Sequence, residues 1–360
     1  MKRKDPVNQD ALPSAGHQGT ELSLRACSIP TAVAAALCFL LVVLPAMPRQ
    51  DANKGFTGQS ITATSVAVNV YAIVEGRRGQ LIRNLNEDDF ELSEDATPQK
   101  IVYFSRETNS ALSLGVAVDT SLSQGRLLGT EQEAAKRFLR SVLQGGDQAF
   151  VMNFDVDVKL LKDFTADGSE LARAIDSAEI NETGKSMLRE NTASVTGGTH
   201  LYDAVYLASN ELMKIRQGRK VLLLITDGED QGSKTNLQNS IEAAEKADVI
   251  VYSIVVSDPQ FYSLMGGSYH GGTSVRKLAR ETGGRTIRVK SIDQLAQAFE
   301  QIARELRAQY LLGYAPSNPR HDRSFRRIQV RIRGHNYAVR TRTGYYDRGD
   351  ERTQTRNLIQ

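Results

Sequence analysis

The sequence predicts an α/β protein: a doubly wound, mostly parallel sheet with helices on both faces, plus a small β-sandwich-like module from the flanking segments. Two observations carry this reading. Between residues 111 and 308, near-continuous apolar runs alternate with amphipathic stretches of helical period, as buried parallel strands and their crossover helices do. Before residue 107 and after residue 309 the hydrophobic period falls to two, the pattern of strands with one buried face.

Residues 1–30 are a polar lead. The uncharged apolar run 32–44, within segment 31–47, follows Lys2, Arg3, Lys4 and Arg25 and precedes Pro45 and Pro48. Its length suits a signal peptide or a single membrane anchor, with the basic residues kept on the cytoplasmic side. Export to a periplasmic or extracellular location is expected, and both cleavage and retention stay open. Residues 48–59 form a polar linker. In the N-terminal β segment, 60–107, Val66, Val68, Val70 and Ala72 alternate with polar or small residues, and 90–92 and 101–104 read as short strands around a turn at 94–98.

The central domain, 110–308, starts with a strand at 112–118. A helix near 129–143 follows, with Ala134, Ala135, Phe138, Leu139 and Val142 on one face. A strand pair at 148–154 and 156–161 precedes helices at 171–178 and 201–215 and a strand at 221–225. A helix at 237–247, a strand at 249–256, a helix at 275–282 ended by Gly283-Gly284, a strand at 286–289 and a helix at 293–306 complete it. The C-terminal β segment, 309–346, contributes 310–314 and an expected hairpin of 328–332 with 337–341 about Gly334-His335-Asn336; 347–360 is a tail.

Composition sets outer limits. The 360 residues are 40% hydrophobic and 24% charged, with a net charge of +3, too small to imply a nucleic-acid partner by itself. Cys27 and Cys38 are the two cysteines, so the remainder holds neither a disulfide nor a thiolate zinc site. His17, His200, His270, His321 and His335 show no paired metal-ligand spacing.

The chemistry concentrates in Asp119-Thr120-Ser121-Leu122-Ser123, directly after the first apolar strand of the domain. Three alternating oxygen groups can face one small hard cation, Mg²⁺ or Mn²⁺. Thr199, in Gly197-Gly198-Thr199, and Asp227, in Thr226-Asp227-Gly228 after the strand 221–225, can complete the shell. Taken singly, these residues read equally as helix caps and turns. Asp119 and Asp227 both follow strand ends, which places them on one rim of the sheet.

Together the motifs resemble the metal-ion-dependent adhesion site of von Willebrand factor A-type domains, in that family's order. Leu85…Asp89-Phe90-Glu91-Leu92-Ser93-Glu94-Asp95…Pro98-Gln99-Lys100-Ile101, Glu281-Thr282-Gly283-Gly284-Arg285 and Gln309-Tyr310-Leu311-Leu312-Gly313-Tyr314 are similar to the flanks of bacterial "VWFA-related" proteins. The resemblance implies that Ser121 and Ser123 bind the cation through their hydroxyls. Thr199 would bind directly or through water, and Asp119 and Asp227 through metal-bound waters and the serine hydroxyls. It implies a protein partner whose Asp or Glu completes the shell. Loops 180–198 and 257–274 flank the site. The second offers Phe261, Tyr262, Leu264 and Tyr269, as a recognition surface or as a plain connector. Glu229 and Asp230 read as solvated rim charges.

An enzyme is not expected. The loop from Gly228 to Thr235 misses a phosphate-binding pattern because Ser233 replaces its second glycine, and Gly184-Lys185-Ser186 lacks the first, where Glu179 stands. Gly266-Gly267-Ser268-Tyr269-His270 lacks the last glycine of a nucleophile elbow. A Mg²⁺-dependent hydrolase with Asp119 as nucleophile misses its second acid, replaced by Ser121. A second alternative is a scaffold module in which the cation only stabilises the fold. Nine arginines against two aspartates over 320–348 read as a solvated strand face, with anionic lipid or polymer as the sharper option.

Overall fold

The computed structural model describes residues 67–106, 110–181, 198–264, 271–347 and Gly349. The expected lead, export segment and linker lie outside these residues. So do 182–197, with Gly184-Lys185-Ser186 and Gly197, then 265–270, with Tyr269 and His270, and the tail from 350. Among the described residues no helix is long and apolar enough to cross a membrane.

The chain opens with β1 (Val68–Glu75), β2 (Phe90–Glu94), β3 (Thr97–Gln99) and β4 (Ile101–Arg106). It then enters the central domain through β5 (Leu112–Asp119), α1 (Leu128–Val142), β6 (Gln148–Phe154), β7 (Val158–Thr165) and α2 (Gly168–Asp176). α3 (Leu201–Leu207) runs on as a π turn at Ala208–Met213, before β8 (Arg219–Thr226), α4 (Leu237–Lys246) and β9 (Val249–Val256). The short α5 (Pro259–Leu264), α6 (Thr273–Thr282), β10 (Thr286–Val289) and α7 (Ile292–Leu306) close the domain, and β11 (Tyr310–Tyr314), β12 (Phe325–Ile332), β13 (Ala338–Arg340) and β14 (Gly344–Tyr346) follow.

Six strands make the central sheet in the order β10-β9-β8-β5-β6-β7, parallel except for β7 at its edge. Every residue of β5, β8 and β9 is buried, which is why their central stretches read as near-continuous apolar runs. Leu114, Val116 and Val118 face α1 and α7 through Phe138, Phe299 and Ile302. Phe150, Leu222 and Leu224 face the opposite layer through Ala204, Ile241 and Leu278. From β5 the chain moves outward to β6 and β7, then returns on the other side of β5 to form β8. The C-terminal ends of β5 and β8 therefore border the topological switch point, where open α/β sheets bind ligands.

The flanks build two four-stranded sheets, β13-β1-β11-β4 and β14-β12-β2-β3. They share a core that includes Val70, Val74, Phe90, Tyr310, Tyr314, Ile328 and Val330. N- and C-terminal pieces interleave, with β1 antiparallel to β11 and β2 antiparallel to β12. The expected 328–332 and 337–341 hairpin does not form. β12 pairs with β2 and β14, while β13 crosses to the other sheet and extends along β1 from Ile73 to Glu75. The Arg333-Gly334 turn is thus a corner between sheets, and it keeps Ile332 in the core while Val339 packs from the opposite layer. Asp95 and Ala96, both at positive φ, form the two-residue turn between β2 and β3, of the kind tight hairpins require.

Candidate metal centre

Asp119 ends β5 fully buried. Its Oδ1 accepts the Ser121 amide at 2.9 Å and its Oδ2 the Thr226 hydroxyl at 2.6 Å. Thr226 in turn accepts the Gly228 amide at 2.9 Å. Gly228 sits at φ 85°, where a Cβ would come within 2.7 Å of the Gly272 amide, so this turn takes glycine for both conformation and space. One aspartate thereby ties the two strand ends together across the switch point.

A second hydrogen-bonded set crosses the same gap. Ser121 Oγ and Ser123 Oγ lie 3.0 Å apart, and Ser123 donates to Asp227 Oδ2 at 2.5 Å. The Tyr262 hydroxyl donates to the same oxygen at 2.7 Å, while Asp227 Oδ1 accepts the Glu229 amide at 3.1 Å. Both serines and Asp227 are buried. Tyr262 reaches this place because α5 is pinned. Asp258 accepts the Gln260 and Phe261 amides at 3.0 and 3.3 Å, and Arg126 Nε, just past the serines, bonds Asp258 at 2.7 Å.

Thr199 is buried. Its amide and carbonyl pair with Gln231, both bonds 2.9 Å, four residues past Asp227. Among the described residues no side-chain hydrogen bond joins Thr199 to the other four predicted residues. Asp119, Ser121, Ser123 and Asp227 form one network, and Thr199 is held beside it through the main chain. Glu229 and Asp230 divide. Glu229 stays at the rim, but the Asp230 carboxylate accepts the Tyr202 amide at 3.0 Å and the Ser233 hydroxyl at 2.6 Å. Asp230 is thus a cap on α3 rather than a solvated charge, because the buried helix start needs an acceptor for its free amides.

Electrostatics favour a cation here. Burial, with the charge of Asp227 adding to it, pushes the Asp119 carboxyl up to about 7 against the hydrogen bonds that lower it. Burial and the Asp227 charge also raise the Tyr262 phenol. Among the described residues no three His, Cys, Asp or Glu side chains converge as metal ligands, so direct ligands would be hydroxyls and water. That oxygen set fits a hard divalent ion.

Two contributors, and one buried acid of α1, escaped the sequence reading. Thr226 fixes Asp119; its signal was a hydroxyl at the last residue of an apolar strand. Tyr262 appeared as loop surface, and its bond to Asp227 becomes visible only once α5 is folded. Glu131 lies on the buried stripe of α1 with Leu128 and Ala135; a charge at spacing three and four from apolar neighbours was its signal.

Residues 114–229 match the family model of the von Willebrand factor type A domain. No curated protein matches the chain. Among solved structures, an aerotolerance-related membrane protein from Bacteroides fragilis is similar at 15% identity and a TM-score of 0.40, over 54% of this chain and 98% of that one. The vWF domain of the type V pili tip protein Mfa5 from Porphyromonas gingivalis gives 13% identity and 0.39, over 55% and 95%. Proximal thread matrix protein 1 from the mussel byssus, with a zinc-occupied MIDAS motif, gives 14% and 0.43, over 59% of this chain and 49% of its own. Residues 114–229 thus correspond to a von Willebrand factor type A domain.

Proposed function

We propose that this type A domain is an exported, cation-dependent protein-binding module. Ser121, Ser123 and Thr199 would hold a Mg²⁺ or Mn²⁺ ion, with Asp119 and Asp227 orienting the hydroxyls and metal-bound waters. Such an ion supplies a positive centre with an exchangeable position that a partner's Asp or Glu carboxylate can take. The observation that carries this reading is the buried Ser121–Ser123–Asp227 network at the switch point, beside Asp119. It combines neutral ligands with two desolvated carboxylates, a set that attracts a dication while leaving it a coordination position for water or a partner. The apolar run 32–44 supports export.

The test is Mn²⁺ calorimetry on the full chain and on Asp119→Ala, with water-proton relaxation of the bound ion as carboxylate is added. Saturable binding that Asp119→Ala abolishes while the variant stays folded, and relaxation that falls as glutarate displaces water, support the reading. Equal Mn²⁺ binding in the variant refutes the site. A second reading, a cation that only stabilises the module, is favoured by Tyr262 closing over Asp227. In that case chelation lowers the Tm and glutarate leaves relaxation unchanged.

A further inference from the structure

Seven residues of α1 are buried, and six of them are apolar or alanine. The seventh is Glu131, 1% exposed, with neither carboxyl oxygen hydrogen-bonded. An unpaired carboxyl costs several kcal/mol when buried as the anion and still loses hydrogen bonds as the acid. Natural interiors match such acceptors with water or a cation.

Its location says which. The turn after Ser123 leads straight into α1: the Leu127 amide bonds the Gln124 carbonyl at 2.8 Å, and the Glu131 amide bonds the Leu127 carbonyl at 3.1 Å. Glu131 therefore lies in the first turns of the helix, on its sheet-facing side, behind the serine loop. Burial raises its carboxyl, and the charges of Asp119 and then Asp227 add to this. Gln124, fully buried on the connecting turn, donates to the Val256 carbonyl at 3.3 Å and has its own Oε1 unpartnered. This stretch presents acceptor oxygens in excess of donors. Among the described residues Glu131 does not converge with the aspartates as a direct ligand.

We propose that Glu131 is a positioning residue of the metal centre, adding a third negative charge behind Asp119 and Asp227 and ordering water between α1 and the ion held by Ser121 and Ser123. The inference rests on the reading of this site as a cation centre. Neutral hydroxyl ligands contribute no charge, so a carboxylate behind them raises cation affinity without closing the position a partner would use. Outer groups of this kind are worth about 10–100-fold in metal affinity.

The full chain is titrated with Mn²⁺ as wild type, Glu131→Gln and Glu131→Met, and each is melted with chelator and at one fixed Mn²⁺ concentration. Glu131→Gln keeps the shape and removes the charge, so its Mn²⁺ affinity falls about 10–100-fold. Glu131→Met relieves the unpaired burial, so the chelated Tm rises while the gain in Tm on adding Mn²⁺ shrinks. Affinities within about twofold of wild type in both variants, or a chelated Tm lowered in both, overturn the proposal and assign Glu131 to the fold. A wild type that binds no Mn²⁺ removes the cation reading itself, and this inference with it.

Discussion

Replacing Tyr262 by Phe removes one oxygen and tests whether the phenol competes with a cation for Asp227. The hydroxyl donates to Asp227 Oδ2 at 2.7 Å, on the oxygen that already receives Ser123 at 2.5 Å. A hydrogen bond to a charged acceptor contributes about 1.5–3 kcal/mol. An ion held by the serines withdraws charge from Asp227 and weakens that bond. If about half of a 2 kcal/mol bond is lost on loading, linkage makes the phenol oppose the ion by about 1 kcal/mol, near fivefold. Tyr262→Phe should therefore lower the Tm in chelator by about 2–4 °C and tighten Mn²⁺ binding about fivefold. Calorimetry of both forms measures both quantities. Mn²⁺ binding that weakens or stays unchanged in Tyr262→Phe refutes the competition and makes the phenol a support of the centre.

Two further predictions concern the frame. Glu245 is buried in α4, and burial, then the charge of Glu281, raises its carboxyl to about 8, against Arg342. Because the folded state holds this proton more tightly than the unfolded chain, its contribution is full below about pH 4.5 and is lost as the pH rises through about 8. Glu245→Gln should flatten the fall in urea-measured stability between pH 5 and 9, and a slope equal to wild type would count against this assignment. In the flanking sandwich, Arg326 is 1% exposed and pairs with buried Glu94 at 3.3 Å, while Tyr314 and Tyr345 donate to the same carboxylate at 2.6 and 2.8 Å. Arg326→Met strands that charge and should cost about 3–5 kcal/mol in urea unfolding; a loss below about 1 kcal/mol shows that the two phenols suffice.

The central domain was legible because its physics is local. A strand buried on both faces is mostly apolar, so β5, β8 and β9 announce themselves, and the aspartates at or just after the ends of β5 and β8 mark a rim. Pairings over long separations were not legible. Ser123 and Asp227 are 104 residues apart, and their contact follows from β8 returning beside β5, which no local period encodes. The arginine-rich strand shows the same limit. Arg327 and Arg331 are exposed as the alternation implies, whereas Arg326 shares the inward parity of Ile328 and Val330. Parity was readable there, but the Glu94 partner that makes the inward place tolerable comes from β2, far back in the chain. The expected 328–341 hairpin failed for the same reason: nearness in sequence suggested a pairing that the edge of β1 had already claimed.

On the proposed cation reading, Tyr262 and Glu131 act with opposite sign, the phenol through its bond to Asp227 and the acid through its unpaired carboxyl. The phenol donates to Asp227 from the loop side, satisfying the anion in place of an ion. Glu131 stands behind in α1 with no donor of its own and sharpens the need for positive charge. Asp227 is thus supplied with a local donor, while the buried acid of α1 is left without one. A purely structural role gives no reason for an unmatched buried acid, since an apolar side chain would avoid its desolvation cost. A site built to take up a dication needs both features, because the phenol keeps Asp227 paired when no ion is present and the buried acid makes loading favourable. The sequence places these residues 131 apart, and only the sheet order makes them parts of one electrostatic centre.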